Sequence, residues 1–228
     1  MKLLAIDTST EACSAALSIA GEVRERYRLA PREHAQLILP MIDDLMNEAG
    51  LRVNDLDAVA FGRGPGAFTG LRIAASVTQG IAFAADLPVV AVSSLAALAQ
   101  GMYREKGIRR VLAAVDARIQ EVYWGVYESE ANGLMQLHGE EVVCPPSRVP
   151  LPSGDGWYGA GTGWEAYLPA LQARLREAAG AWDGRRYPAA RDVAALAAAG
   201  YGRGEAVAAE QALPVYLRDE VAVKPSRF

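Results

Sequence analysis

Apolar residues keep two different rhythms along the first hundred positions. Leu3–Ile6 is a continuous apolar run ending at Asp7. Ala12–Ile19 is a second run, and Glu22–Arg28 alternates with period two beyond the turn Ala20-Gly21. Short runs bounded by turn residues predict three antiparallel strands joined by tight turns. From His34 to Gly50 the period changes. Leu37, Met41 and Leu45 form one row at i, i+4, and Ile38, Ile42 and Met46 form another, which predicts a helix stopped by Gly50. Pro40 implies a kink or a start close by, and His34 at the first position suggests a capping role. Asp57–Phe61 then reads as a strand and Gly62–Gly66 as a glycine-rich turn. Thr69–Ala85 reads as a helix capped by Thr69 and ended by Asp86-Leu87-Pro88. Val89–Val92 is a buried strand, and Ser93 or Ser94 caps a helix running to Met102.

After a charged break at Arg104–Arg110 the pattern partly repeats. Val111–Asp116 is an apolar strand ending in an acid. Glu121–Tyr127 alternates, with Tyr123 and Tyr127 on one face and Trp124 opposite, and Leu134–Val143 predicts a third strand. Cys144–Asp155 reads as a loop, Tyr158–Gly163 as a glycine-rich turn before a helix at Trp164–Ala178, Arg191–Gly200 as a last helix, and Val215–Leu217 as a short strand. Two successive units, each opening on a hairpin whose first strand ends in Asp, suggest a duplicated α/β architecture, split at 1–103 and 104–228. This layout resembles the actin-like ATPases, whose two opening hairpins embrace nucleotide phosphates.

Composition narrows the picture. The 51% hydrophobic content excludes intrinsic disorder, and Cys13 and Cys144, the only cysteines, exclude a disulfide scaffold and read as small buried hydrophobes. A net charge of −4 lacks the basic footprint of a chain that grips nucleic acid by itself. Arg174, Arg176, Arg185, Arg186 and Arg191 form either a local basic patch or a solvated face. Asp7, Ser9 and Glu11 cut the opening apolar run too short for a signal peptide. Asp86 and Pro88 break the stretch Ile81–Leu98, so no membrane span is expected and the expected compartment is the cytoplasm.

Asp7-Thr8-Ser9-Thr10 has the makings of a phosphate loop, with Asp7, Thr8 and Ser9 as nucleotide contacts, or of a polar hairpin turn bonded to its own backbone. It lacks the glycine that would let phosphate approach. Gly62–Ala67 fits a relaxed dinucleotide fingerprint, yet Asp86 precedes the next strand instead of ending it; a tight turn feeding a helix is the plainer reading. Asp116, Arg118 and Glu121 turn the second hairpin, either as an acid pair with an anion-binding arginine or as an exposed, self-paired turn. His34 and His138 are single and far apart, with no metal-ligand spacing.

Four segments together are specific: Ala5–Thr10; Gly62-Arg63-Gly64-Pro65-Gly66-Ala67-Phe68-Thr69-Gly70-Leu71-Arg72-Ile73; Val115–Arg118 with Glu121-Val122-Tyr123; and Val215–Ala222. They resemble the bacterial TsaB family over nearly the whole chain. The resemblance implies a subunit of the machinery that places a threonylcarbamoyl group on the adenosine beside the tRNA anticodon. Its implied partners are a catalytic relative, TsaD, which holds a metal in an actin-like fold, and TsaE, a P-loop ATPase. The metal-binding histidines of that relative fall here on Ser94 and Leu98, and its glycine-rich second turn falls on Asp116–Gln120. Both losses imply a non-catalytic chain with no intrinsic cofactor, meeting ATP or ADP only in the complex and tRNA only through it. An independent actin-like ATPase or small-molecule kinase, and a metal-dependent peptidase, remain as alternatives. The second helix is apolar nearly all round, with Gly70, Ala74 and Ala75 small enough for close approach. Leu37, Met41, Leu45, Arg72, Ile73, Val77 and Ile81 are therefore expected to form a four-helix interface with the TsaD-like chain, or with a second copy when that chain is absent.

Overall fold

The computed structural model describes residues 1–218. β1 (Lys2–Asp7), β2 (Ala12–Ile19) and β3 (Glu22–Leu29) form the expected antiparallel meander. The Ala20-Gly21 turn takes positive φ at both residues (51° and 91°), the twist a two-residue hairpin requires. α1 (His34–Ala49) ends at Gly50, whose left-handed conformation (φ 64°) directs its N–H back to the Met46 and Asn47 carbonyls. Pro40 sits inside α1 without interrupting it. β4 (Ala58–Gly64) and β5 (Val89–Ser93) add in parallel, joined by α2 (Phe68–Ala85), so the first sheet has the order β3-β2-β1-β4-β5.

α3 (Ser94–Lys106) is capped by Ser93, whose Oγ accepts from the Leu95 and Ala96 N–H groups. β6 (Arg110–Arg118) and β7 (Glu121–Ser129) then open the second sheet, and β8 (Met135–Leu137) and β9 (Val142–Cys144) both pair with β7. β10 (Trp157–Ala160), α4 (Thr162–Leu175) and β11 (Ala179–Asp183) complete it. Its order, β8-β7-β6-β10-β11, reproduces the first sheet strand for strand, parallel and antiparallel pairs included. This is the actin-like duplication.

The helices build a layered stack. α1 and α2 cover one face of the first sheet, burying Ile38, Leu45, Ala74 and Ala82 against Leu4, Ile6 and Phe61. α5 (Ala190–Gly202) crosses back to cover the other face, with Val193, Ala194 and Ala197 against Leu3, Ala5 and Ala60. α3 packs Leu95, Leu98 and Met102 on the second sheet beside Val111, Ala113 and Tyr127, and the outer face of that sheet holds Trp124 against Trp164 of α4. Tyr123 and Tyr127 lie opposite Trp124 as the alternation required. The boundary expected at 103/104 falls inside the last turn of α3.

Several boundaries differ from expectation for local reasons. The predicted strand Leu134–Val143 breaks at Gly139 (φ 83°) into β8 and β9. Gly62 and Gly64 belong to β4, not to a turn, and Ala67, with no side-chain bond, stands at the N-cap where Thr69 was expected. α4 stops at Leu175 and bends at Tyr167 (φ −131°), two residues before Pro169. Tyr158–Ala160, read as part of a glycine-rich turn, belongs to strand β10, and β11 had no counterpart in the sequence reading. Val215–Leu217 is irregular chain with one ladder-like bond, Val215 N–H to the Arg63 carbonyl (2.8 Å). Residues 219–222 of the C-terminal motif lie outside the described residues.

Leu45, fully enclosed between α1 and the first sheet, reports on this packing. Leu45→Ala is expected to lower unfolding free energy by about 2–5 kcal/mol, read from urea denaturation.

Candidate functional site

The β1–β2 and β6–β7 turns face each other across a cleft of about 650 Å³ between the two sheets, with the start of α2 and the segment Val215–Arg218 along its rim.

The first turn is closed from beneath. Gly62, Gly66 and Gly70 come so near it that a Cβ would lie 1.9 Å from Asp7 Oδ2, 2.2 Å from the Ser9 carbonyl and 1.9 Å from the Thr8 carbonyl, respectively. The Ala67 N–H donates to the Ser9 carbonyl (2.7 Å), and Thr8 Oγ1 donates to the Gly70 carbonyl (2.7 Å). The Ser9 N–H and Oγ both donate to Asp7 Oδ1 (2.9 and 2.8 Å). Asp7, Thr8 and Ser9 are each 0% exposed, so their side-chain hydrogen bonds are made within the turn and its glycine floor. Burial pushes the Asp7 carboxyl up to about 6, outweighing the two bonds from Ser9 that lower it, and Oδ2 has no partner among the described residues. The same burial, reinforced by Asp7, pushes the Cys13 thiol up to about 11; Cys13 packs as the small core residue expected.

The second turn is strained. Arg118, Ile119 and Gln120 occupy the left-handed region in succession (φ 62°, 52° and 59°), a conformation that costs roughly 1–2 kcal/mol per non-glycine residue. Asp116 holds the turn by accepting from the Arg118 N–H (2.8 Å) and the Tyr167 hydroxyl (3.0 Å) and by pairing with the Arg118 guanidinium (3.0 Å). Arg118 also reaches across the cleft to Glu11 (3.4 Å), tying the second turn to the first. Glu121 pairs with Arg218, which also donates to the Ala117 carbonyl (3.1 Å). Asp116 and Arg118 thus pair with each other within the turn, Arg118 bridges to the first turn, and Glu121 is taken by Arg218 instead.

Other expected positions are placed as follows. His34 does not cap α1: Glu33 is the N-cap, and the buried imidazole lines the cleft with Nε2 unpartnered. At the two positions where the resemblance implied lost metal ligands, Ser94 has its Oγ unpartnered among the described residues and Leu98 lies in the α3 core. One hydroxyl beside one buried carboxylate does not fit a transition metal, which needs imidazole, thiolate or several carboxylates. No group of three His, Cys, Asp or Glu suited to a metal occurs among the described residues.

On the outer face, α1 and α2 leave a groove of about 490 Å³ lined by Leu39, Phe68, Arg72, Ile73, Ser76 and Val77. Leu37, Met41, Ile73, Val77 and Ile81 are half-buried against the core beneath it. Leu45 cannot contribute to a surface, because it is enclosed. Gly70, Ala74 and Ala75 also face inward; the small residues of the exposed stripe are Ser76 and Gly80. Arg72 lies over the Phe68 ring (3.8 Å) and donates to the Tyr216 hydroxyl (3.3 Å). Phe83, near the end of α2, is 82% exposed.

Two outcomes test this geometry. Because the Asp7 carboxyl is raised from 3.8 to about 6, its contribution to stability is full below pH 3.8 and lost as pH rises through 6. Asp7→Asn is therefore expected to remove that slope and to be more stable than the parent above pH 7 by about 3 kcal/mol, read from denaturation curves across pH. Ile119→Asn, which tolerates the left-handed region, is expected to raise the melting temperature by about 2–4 °C.

The family model described as TsaD, tRNA N6-adenosine threonylcarbamoyltransferase, matches residues 26–159. The tRNA threonylcarbamoyladenosine biosynthesis protein TsaB of Escherichia coli (strain K12) is 46% identical, covering 98% of this chain and 97% of the relative. The protein of that name from Haemophilus influenzae is 40% identical over 98% and 96%. Among solved structures, YeaZ from Pseudomonas aeruginosa superposes with a TM-score of 0.88 at 54% identity, covering 95% of this chain and 99% of that one. These similarities run through both sheets and almost the full length of each chain, and the chain belongs to the TsaB family.

Proposed function

We propose that this chain is a non-catalytic scaffold subunit of tRNA threonylcarbamoyladenosine synthesis, acting by pairing with a TsaD-like catalytic chain. The observation that carries the reading is the α1–α2 groove: Leu39 and Phe68 are 54% and 53% exposed beside Ile73 and Val77, with small Ser76 and Gly80 on the same stripe and Phe83 exposed further along α2. Large apolar side chains on adjacent helices, with small residues between them, favour a second helix pair laid across them. A TsaD-like chain carries a related fold and therefore a related helix pair, and a second copy of this chain takes the same face when that partner is absent. The pair then recruits a TsaE-like P-loop ATPase.

Catalysis is assigned to the partner because Ser94 and Leu98 stand where the resemblance implies metal ligands, and because the side chains of the first turn are spent on its glycine floor while Arg118 bridges the cleft to Glu11. ATP or ADP is accordingly held only in the complex. Contact with tRNA is also left to the complex. Arg185 pairs with Glu165, Arg186 with Asp183 and Glu105, and Arg191 with Glu25, so three of the five candidate arginines are neutralised locally; Arg174 donates to the Val149 carbonyl, and Arg176 makes no ion pair among the described residues. Among the described residues no helix is long and apolar enough to cross a membrane, and the proposed compartment is the cytoplasm.

Leu39→Asp and Val77→Glu are expected to abolish co-elution with the TsaD-like chain in size-exclusion runs and to lower tRNA modification in a reconstituted assay, while circular dichroism stays unchanged. Burying an unpaired carboxylate in such an interface costs several kcal/mol, enough to reduce association by more than about a hundredfold. Complexes that persist with both variants place the interface elsewhere.

A further inference from the structure

We propose that a second cavity, sharing no lining residue with the interlobe cleft, binds a small monoanion through Arg63: a carboxylate or a singly charged phosphate. The cavity, about 240 Å³, lies between β5 and β8 and is closed by the end of α5. Arg63, the penultimate residue of β4, is half-buried, and its Nε is buried without a partner among the described residues. Among the described residues its guanidinium makes neither a hydrogen bond nor an ion pair. Arginine cannot relieve this by losing its proton, and its planar fork of donors matches an oxyanion.

The other charges around the cavity are committed. Arg203 is held by Glu205 through two bonds (2.6 and 3.0 Å). Glu141 accepts through Oε1 from both the Ser93 and the Tyr127 hydroxyls, and forms no ion pair with Arg63. Tyr127 and Ser93 touch each other (3.3 Å), and Ser93 is further fixed by capping α3, so this wall is rigid. The break at Gly139 between β8 and β9 is what brings Glu141 there.

Size and charge restrict the ligand. The volume lies below the roughly 300–1,000 Å³ of sites for drug-sized molecules, too small for a nucleotide. A carboxylate on the wall opposes multiply charged anions, and Val90, Val92 and Leu137 suit a short aliphatic portion. The inference concerns this chain alone and does not rest on the partner assigned above.

The test is nuclear magnetic resonance on the ¹⁵N-labelled full-length chain. The Arg63 Nε–H signal is identified by its loss in Arg63→Lys. Sodium acetate, sodium propionate and sodium phosphate, the last at a pH where it is mainly monobasic, are titrated against sodium chloride at constant ionic strength. The expected result is a saturable shift of the Arg63 Nε–H and of the Val90, Val92 and Leu137 amides with at least one anion, weakened about tenfold or more in Arg63→Gln. Saturation by the carboxylates alone or by phosphate alone names the source. Shifts that track chloride for all three anions, or saturation that survives in Arg63→Gln, overturn the proposal. If Arg63→Gln does not fold, the Nε–H signal of the parent chain decides between the same two results.

Discussion

The contact on which this molecule turns is between two pieces of backbone. The β1–β2 turn rests on the end of β4 and the first turn of α2 at Gly62, Gly66 and Gly70, where any side chain would collide with Asp7, Ser9 or Thr8. In return, the Ala67 N–H and the Gly70 carbonyl, a donor and an acceptor at the start of a helix, are satisfied by the turn itself. That exchange uses the helix N-terminus, the feature by which a phosphate loop holds its anion. The cost is a carboxylate, Asp7, sealed from water with one oxygen unpartnered.

The same economy appears on the other side of the cleft. Three left-handed residues in succession are an unfavourable turn, and this one is held by the Asp116 carboxylate, the Tyr167 hydroxyl and the reach of Arg118 to Glu11. Val215 and Tyr216 fasten to the first sheet and α2, and Arg218 fastens to the β6–β7 turn. The cleft of an actin-like fold is retained here, with its two walls tied by charge pairs and by the chain end.

Much of this was legible beforehand, for identifiable reasons. The strands of the first sheet carried continuous apolar runs because β1 and β2 are covered on both faces, whereas β3, at the edge, alternated. α1 showed its two rows because only one side meets the core. Leu45 was misplaced as a contact surface because a row of apolar residues at i, i+4 does not say which rows face the sheet and which face outward. β11 escaped notice because Ala179-Gly180-Ala181-Trp182-Asp183 has neither alternation nor β-branched residues; it is a strand because β10 offers an edge. The self-pairing of Asp116 and Arg118 lay among the readings left open. The tie to Glu11 joins residues more than a hundred positions apart, which no local pattern encodes. The loneliness of Arg63 was invisible for the same reason.

The middle layer has a consequence for how the chain is made. α5 covers the inner face of the first sheet, and Ala190 at its start donates to Ser14 Oγ in β2 (2.9 Å), yet α5 follows the last strand of that sheet only after the whole second sheet has been made. During synthesis the five strands of the first sheet are complete by Ser93, while Leu3, Ala5, Ala60 and Val92 still lack their cover. α3, the next element out, docks mainly on a sheet not yet synthesised. A nascent chain of this design therefore carries a bare apolar sheet face while the second sheet is translated, when association with other nascent chains competes with folding. Release of α5, and not completion of the first sheet, sets the moment at which the first sheet becomes a closed structure.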